Sequence, residues 1–295
     1  MRMLSALETA QLLPYPQLAQ AIQAVLGDQK AGLVQAPERL AMPLPGGGTL
    51  LLMPAADPQV TVTKLATVHP GQNPSVRAEV WVMHTPTGER VALLDGSVVT
   101  ARRTAAVSLL AAQKLAPDPK GPLLVVGAGV QAWSHLEAFH QGLGVREVYV
   151  YSRTPEHSRA LADQAQSLGI AARVIENPLE AVERVSLIVT ATTSTTPVLP
   201  DMVREDAFIA AVGAYRPDMA ELPPSLVRRA RLFVDTLEGA RAEAGDLIQA
   251  GVDWGQVRAL GDVLDSALPP GPVVFKSVGH ALWDLAASRL ALGQL

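Results

Sequence analysis

From residue 118 onward the sequence sets short apolar runs at intervals: PLLVVGAG, REVYVYS, AARVIE, SLIVTAT, AFIAAVG and RLFVD, with segments long enough for helices between them. No other feature narrows the fold as far. Runs of this kind bounded by turn residues read as strands, and strand–helix alternation predicts a parallel sheet with right-handed crossovers. The first run ends in VVGAGVQA, which places Gly127-x-Gly129-x-x-Ala132 between a strand and a helix. Gly127 permits the tight turn, Gly129 lets backbone approach a pyrophosphate, and the small Ala132 allows close helix–strand packing. The helix N-terminus adds its positive end. At the head of a βαβ unit, the spacing reads as a dinucleotide site rather than a bland glycine turn.

The next strand ends in VYVYSRT. An NAD-selective site puts Asp or Glu there for the ribose hydroxyls. This chain has Ser152, Arg153 and Thr154, a set suited to a 2′-phosphate, which favours NADPH with NADH as the alternative. The competing reading has Arg153 stacked on adenine or facing solvent. TATTSTTP closes the fourth strand, where small hydroxyl residues either line the nicotinamide half of the cofactor or form a plain polar loop. The fifth strand runs into AVGAYRPDMAEL, residues 211 to 222, which looks like a buried strand breaking at a functional edge, with Asp218 and Glu221 as candidate catalytic carboxylates.

The first part of the chain follows a different rule. After a helix-like PQLAQAIQAVL and the turn-rich PLPGGG come TLLLMPA, QVTVTKLATV, VRAEVWVMH and ERVALLDGS, strands by their β-branched content and period-two alternation, with turns at HPGQNP and TPTGE. TARRTAAVSLLAAQKLA is the helix expected to cover this meander. After GPVVFKS a last helix, VGHALWDLAASRLALG, carries Val278, Leu282, Leu285 and Leu290 as a face that packs back onto one of the domains. The fold class is α/β: a Rossmann-type doubly wound parallel sheet over residues 116–269 beside an α+β domain over 1–115.

Composition removes several functions. The 295 residues are 48% hydrophobic and carry a formal net charge of -4 with no basic tract, so nucleic acid is not an expected partner. Cysteine is absent, which rules out disulfides, thiolate nucleophiles and Cys-ligated metal sites. The N-terminus lacks the apolar core and cleavage site of a signal peptide, and no run of about 18 apolar residues predicts a membrane helix. The expectation is a soluble, cytoplasmic protein that does not engage a membrane. HLEAFH resembles a zinc helix motif, but the spacing of His135 and His140 takes them off a common face, and no metal site is expected. No G-x-S-x-G elbow supports serine hydrolase chemistry.

Three cations stand out in the first domain. Lys64 shares a strand face with Val60, Val62, Ala66 and Val68, where an ammonium is costly without a partner. It either snorkels at the rim or has a function. Arg103 lies in line with Val99, Ala106 and Leu110 on a helix of small residues, and its neighbour Arg102 is the better surface candidate. Arg39, in PERLAMPLP, has no distinctive pattern of its own.

With these pieces assembled, the sequence resembles the ornithine cyclodeaminase/mu-crystallin family over nearly all its length. The matching segments are RLAMPL…LLLMPA, TKLATVHPGQN, ALLDGSVVTARRTAA, VVGAGVQAWSHLEA, VYSRTPEHSRALA, VGAYRPDMAELPP, VDTLEGARAEAGDL and VFKSVGHALWDLAA. The resemblance implies a Rossmann domain and a substrate domain that forms a homodimer through its sheet, with residues 270–295 returning to that substrate domain. It implies that Arg39, Lys64 and Arg103 hold a substrate carboxylate, which suits guanidinium forks. By the same matching, Val130 and Gln131 contact the phosphates and Thr192 or Thr193 the cofactor further along. Val212, Gly213 and Ala214 wall the nicotinamide, and Ser277 and Val278 border cofactor and substrate.

One departure from the family pattern is informative. Cyclodeaminases carry an aspartate after this strand's glycine as general acid/base; the aligned residue here is Tyr215. A phenol with a reference pKa of about 10 is a poor base at neutral pH. The resemblance therefore points to an NADPH-preferring reductase of a small-molecule cyclic imino acid, Δ1-pyrroline-2-carboxylate and its piperideine homologue, giving L-proline or L-pipecolate. Lys64, Tyr215 or a water supplies the proton, with Arg103 completing the catalytic set. The rivals are an ornithine cyclodeaminase in which Asp218 replaces the missing acid, an open-chain amino-acid dehydrogenase, and a nucleotide-liganded binding protein.

Overall fold

A computed structural model of the chain describes residues 1–69, 71–72, 74–263 and 271–294. Contacts divide the chain into two compact units, Met1–Val107 with Gly279–Leu295, and Ser108–Val278. The first division falls within a helix rather than after it at 115/116. The boundary expected at 269/270 and part of the HPGQNP turn lie outside the described residues.

The first unit is built on a six-stranded sheet. Strands β1 (Arg2–Met3), β2 (Leu40–Pro43), β3 (Thr49–Ala56), β4 (Val60–Val68), β5 (Val76–His84) and β6 (Arg90–Asp95) lie in the order β1-β6-β5-β4-β3-β2. β2 to β6 form an antiparallel meander, and β1 joins β6 in parallel. The four alternating runs form the four long strands. β1 and β2 escaped the sequence reading because they are short and carry no alternation: all four residues of β2 are exposed at the sheet edge.

Period-two alternation gives β4 two unlike faces. Val60, Val62, Lys64 and Ala66 are buried, while Leu65 is exposed on the other side. The buried face meets the C-terminal helix (Ala281–Leu292), which packs on β3, β4 and helix α2 (Tyr15–Lys30), the element after a short α1 (Ala6–Gln11). Leu282 and Leu285 are buried in that helix and Leu290 is half-buried. Val278 lies before the helix, not on its face: it is buried in the apolar cluster of the other unit. Arg289 ties the helix end down, donating to Asp28 at 2.6 Å and to Asp57.

Helix α3 (Gly96–Leu115) begins one turn earlier than TARRTAA suggests, taking Gly96 and Ser97 from the expected strand. The cause is Asp95, whose Oδ1 accepts from the Val98 N–H at 2.9 Å and so caps the helix start. On this helix Arg103 is buried. Arg102 is half-buried, donating to the Leu13 carbonyl at 2.7 Å with its guanidinium 4.0 Å over the Tyr15 ring.

The second unit is a parallel sheet in the order β13-β12-β14-β11-β10-β7-β8-β9. The six expected runs form β7 (Leu123–Val126), β8 (Glu147–Tyr151), β9 (Ala171–Val174), β10 (Leu187–Thr190), β11 (Phe208–Ala211) and β12 (Arg231–Val234). Two more strands, β13 (Arg258–Ala259) and β14 (Val273–Lys276), complete it, and β14 inserts between β11 and β12. Helices α4 (Val130–Leu143), α5 (Pro155–Ser167), α6 (Pro224–Arg229), α7 (Leu237–Glu243) and α8 (Gly245–Ala250) fill several connections. The alternation is not complete. Between β9 and β10 there is only a short turn of 3-10 helix at Pro178–Glu180, and between β10 and β11 no helix at all. Pro197 and Pro200 within a Ser/Thr-rich stretch account for the second, since neither residue class sustains a helix interior. No helix among the described residues is long and apolar enough to cross a membrane.

Candidate functional site

The second unit holds a cavity of about 810 Å³ at the C-terminal ends of β7, β8 and β10, lined by Gly127–Gly129, Tyr151–Thr154, His157, Asn177–Leu179 and Ala191–Ser194 among others. Open α/β sheets bind ligands at this end. Gly127 adopts φ +119°, and a Cβ there would lie 2.5 Å from the Ala191 carbonyl oxygen, so the turn out of β7 tolerates only glycine. Gly129 caps α4 with no side chain, and a Cβ at this position would meet open space. The first turn of α4, with Val130, Gln131 and the buried Ala132, therefore presents backbone N–H groups without a side-chain cap. That combination fits a pyrophosphate.

On the far side of the cavity Arg153 is exposed. Ser152 is committed elsewhere: its hydroxyl donates to the Thr154 carbonyl at 2.7 Å and lies 2.8 Å from Ser158 Oγ. It shapes the turn, and Arg153 is left as an exposed cation in the cavity lining. His157, in the first turn of α5, joins it in the lining and was missed in the sequence because nothing in its spacing marks it. The threonine pair divides similarly. Thr192 donates through both N and Oγ1 to Glu221, whereas Thr193 is exposed in the cavity wall.

Glu221 organises the ends of β10 and β11. It is fully buried and accepts from Thr190 Oγ1 (3.0 Å), Thr192 N (2.7 Å), Thr192 Oγ1 (2.9 Å), Gly213 N (2.7 Å) and Ala214 N (3.2 Å). Burial pushes its carboxyl pKa up, and Lys276 counters that. A Cβ on Gly213 would strike both Thr192 backbone and the Glu221 carboxylate, so the wall formed by Val212, Gly213 and Ala214 is fixed from behind. Beneath it, Asp246 accepts from the Glu221 and Leu222 amides and pairs with buried Lys276 at 3.0 Å. Asp235 holds the next strand end, accepting from Ser277 Oγ at 2.9 Å and Val278 N at 3.0 Å.

The corner after β11 is solvent-facing. Tyr215 is 39% exposed. Asp218 is exposed too, and both its oxygens accept from Arg216, each at 2.9 Å, a fork that lowers the Asp218 pKa. Neither candidate carboxylate of AVGAYRPDMAEL thus has the surroundings of a general base: Asp218 is held ionised by Arg216, and Glu221 is saturated with donors.

In the first unit the cations gather around an aspartate that sequence reasoning missed. Lys64 Nζ lies 3.1 and 3.0 Å from the two oxygens of Asp284, a fully buried residue of the C-terminal helix, and Arg103 Nε lies 3.4 Å from Oδ1. Arg39 donates to the Gly279 carbonyl at 2.6 Å. Gly279 has φ +85°, and a Cβ on it would sit 2.8 Å from Arg103 Nη1, so the chain passes between two guanidiniums where no side chain fits. Burial lowers the Lys64 pKa to about 8, Arg103 and Arg39 adding to the fall and Asp284 opposing it. An ammonium facing two guanidiniums and one carboxylate is a setting that attracts a further anion. The sequence signal for Asp284 was present: it is the one acid of a largely apolar helix, set in its first turn, the partner that Lys64 demands.

His135 and His140 serve local packing. His135 Nδ1 donates to the Gln131 carbonyl at 2.7 Å while Nε2 meets Ser108 Oγ at 2.9 Å, and His140 Nδ1 lies 2.8 Å from the Val145 carbonyl. Among the described residues no group of three His, Cys, Asp or Glu side chains is placed to hold a metal ion.

The profile of the ornithine cyclodeaminase/mu-crystallin family matches residues 1–293. The chain is 41% identical to Δ1-pyrroline-2-carboxylate reductase 1 of Burkholderia multivorans over 292 residues, covering 97% of this chain and 93% of that protein. It is 39% identical to mouse ketimine reductase mu-crystallin over 270 residues, 88% of this chain and 85% of the other. Among solved structures, the Thermococcus litoralis Δ1-pyrroline-2-carboxylate reductase in complex with NADH and L-proline superposes with a TM-score of 0.93 at 27% identity, covering 100% of this chain and 97% of that one. The chain belongs to the ornithine cyclodeaminase/mu-crystallin family.

Proposed function

We propose that this protein is an NADPH-preferring reductase of Δ1-pyrroline-2-carboxylate, also accepting Δ1-piperideine-2-carboxylate, with L-proline and L-pipecolate as products. The observation that carries the choice of reaction is the Arg216–Asp218 fork beside an exposed Tyr215. A cyclodeaminase needs a carboxylate at this corner to take and return protons, and the one nearby is locked as a surface ion pair. Reduction of a ring that already contains the C=N bond needs no such base. The family relatives with high identity carry reductase names, which supports the same reading.

In this reading the unit of Met1–Val107 with Gly279–Leu295 binds substrate and the unit of Ser108–Val278 binds the dinucleotide. Arg103, Lys64 and Arg39 hold the imino acid's carboxylate, the guanidiniums by paired N–H donors and the ammonium as a point charge. Burial of the cluster makes each contact stronger than it is in water. Arg153 and Thr154 receive the 2′-phosphate, and the Val212–Ala214 backbone, pinned by Glu221, walls the nicotinamide. The bound cofactor supplies the hydride to the imine carbon. A proton must reach the ring nitrogen, and Lys64 can give one, since its pKa of about 8 lies near neutral pH; Tyr215 and water are the other donors in reach of this reading. Val278 enters through its backbone, held by Asp235, and not through a side chain aimed at substrate.

A homodimer belongs to the same reading. The outer face of the first unit's sheet carries Leu40 opposite Leu52, Leu52 opposite Leu65, and Trp81 opposite Leu93, an apolar surface with Leu40 54% and Leu65 38% exposed. A second copy of the same face would cover it.

NADPH oxidation with Δ1-pyrroline-2-carboxylate, run beside ammonia release from L-ornithine with NAD, decides the reaction. Imine reduction is expected to dominate and to survive Asp218→Asn within about twofold, as for an exposed ion pair; ornithine turnover without imine reduction would reverse the assignment. Arg103→Ala is expected to cut kcat/KM for the imine by about a hundredfold or more, since a buried carboxylate partner is lost. NADPH affinity measured by fluorescence titration should stay within about threefold, and matching losses in both would place Arg103 elsewhere. Arg153→Ala should lower the NADPH-over-NADH ratio of kcat/KM by about tenfold, the scale of one charge-assisted contact at a partly exposed site; an unchanged ratio puts the 2′-phosphate on other groups. Sedimentation equilibrium should give a dimer that Leu65→Glu dissociates, and a monomeric wild type would remove the sheet-face interface.

A further inference from the structure

A carboxylate at the centre of a site that binds carboxylates is a contradiction unless it acts on the cations. Asp284 is 0% exposed and sits on a helix whose other inward residues are apolar or small. Alone it would repel the substrate. Its two oxygens are instead occupied by Lys64 Nζ at 3.1 and 3.0 Å, with Arg103 Nε at 3.4 Å on the same side. An ion pair of this kind seldom improves stability over apolar replacements, so its presence asks for another reason.

We infer that Asp284 is a positioning residue for the reaction: it holds the Lys64 ammonium charged and fixes the Arg103 guanidinium, so that both meet the substrate carboxylate preorganised. The inference rests on the reading of this cluster as the substrate-carboxylate site. Five elements face Lys64. The C-terminal helix brings Asp284, α3 brings Arg103, the segment before β2 brings Arg39, and the neighbouring strands β3 and β5 bring Met53 and Val80, which do not titrate. Asp284 is thus the group that opposes two guanidiniums and the loss of water around Lys64. Without it the ammonium loses its proton at lower pH, and the Arg103 guanidinium loses one ionic contact, that of its Nε. The carboxylate does not touch substrate; its effect passes through Lys64 and Arg103.

The test uses the full-length protein and Asp284→Asn, which keeps shape and removes charge. Burial lowers the wild-type Lys64 pKa to about 8, so kcat/KM for Δ1-pyrroline-2-carboxylate is expected to fall as pH rises through that value. In Asp284→Asn that falling limb is expected to move down by about one pH unit or more, with the loss carried mainly in KM. The Lys64 resonance of protein labelled in its lysine side chains should show the same displacement with no imino acid present. That measurement judges Asp284 independently of the substrate: if it shifts while the imine is not reduced, the proposed reaction fails while the hold of Asp284 on Lys64 stands. An unmoved Lys64 midpoint together with an unmoved pH limb overturns the inference. If Asp284→Asn does not fold, as judged by lost NADPH binding, Asp284→Glu replaces it. That variant retains the charge at a changed distance and is expected to keep the limb in place while raising KM about tenfold; a displaced limb, or an unchanged KM, overturns the inference as well.

Discussion

The contact between Lys64 and Asp284 joins residues 220 apart in the chain, and much of the first unit depends on it. An ammonium on the inward face of β4 cannot be left among Val60, Val62 and Ala66 without a partner, since an isolated buried charge costs several kcal/mol even after relaxation. The partner comes from the last helix, which must therefore return to this sheet and lie with Asp284 over Lys64. That requirement orders the rest: α2 packs on the helix, Arg289 secures its end to Asp28 and Asp57, and Gly279 threads the chain past Arg39 and Arg103. Methionine at Lys64 and leucine at Asp284 would satisfy packing equally well, since buried ion pairs can often be replaced without loss of stability. Retaining charge here makes sense when the site has an anion to bind.

Much of the architecture was legible from local pattern. Period-two alternation marked β3 to β6 because one face of the meander is buried and the other is not, and the apolar runs marked β7 to β12 because a parallel sheet is covered on both sides. Gly127 was legible for a related reason: a turn that admits no Cβ must be written in the sequence at that place. What local pattern does not encode is partnership at long range. β14 inserts between β11 and β12 although it follows both in the chain, and chain order alone does not reveal spatial order. Asp235, Asp246 and Lys276 look like ordinary charges until the fold brings their partners to them, and Glu221, marked as a candidate acid, shows its clamping role only then. Asp284 was the most nearly readable, because a lone acid in an apolar helix and a lone lysine on an apolar strand face are complementary anomalies.

Three carboxylates show how surroundings, not residue type, decide what an acid does. Asp218 lies in solvent with both oxygens on Arg216, a fork that lowers its pKa and keeps it ionised at the protein's surface. Glu221 is buried, and its five donors, three backbone amides and two threonine hydroxyls, make it a clamp on the ends of β10 and β11. Asp284 is buried with cations, and it tunes them. Neither Asp218 nor Glu221 has the surroundings of a general base, and that is consistent with a reaction whose C=N bond already exists in the ring. What such a reaction needs is a fixed carboxylate handle and a flat, dry cofactor wall. The chain supplies the first by concentrating positive charge around one neutralising acid. In the proposed reading it supplies the second through Glu221, which holds the Gly213 and Ala214 amides together with Thr190 and Thr192.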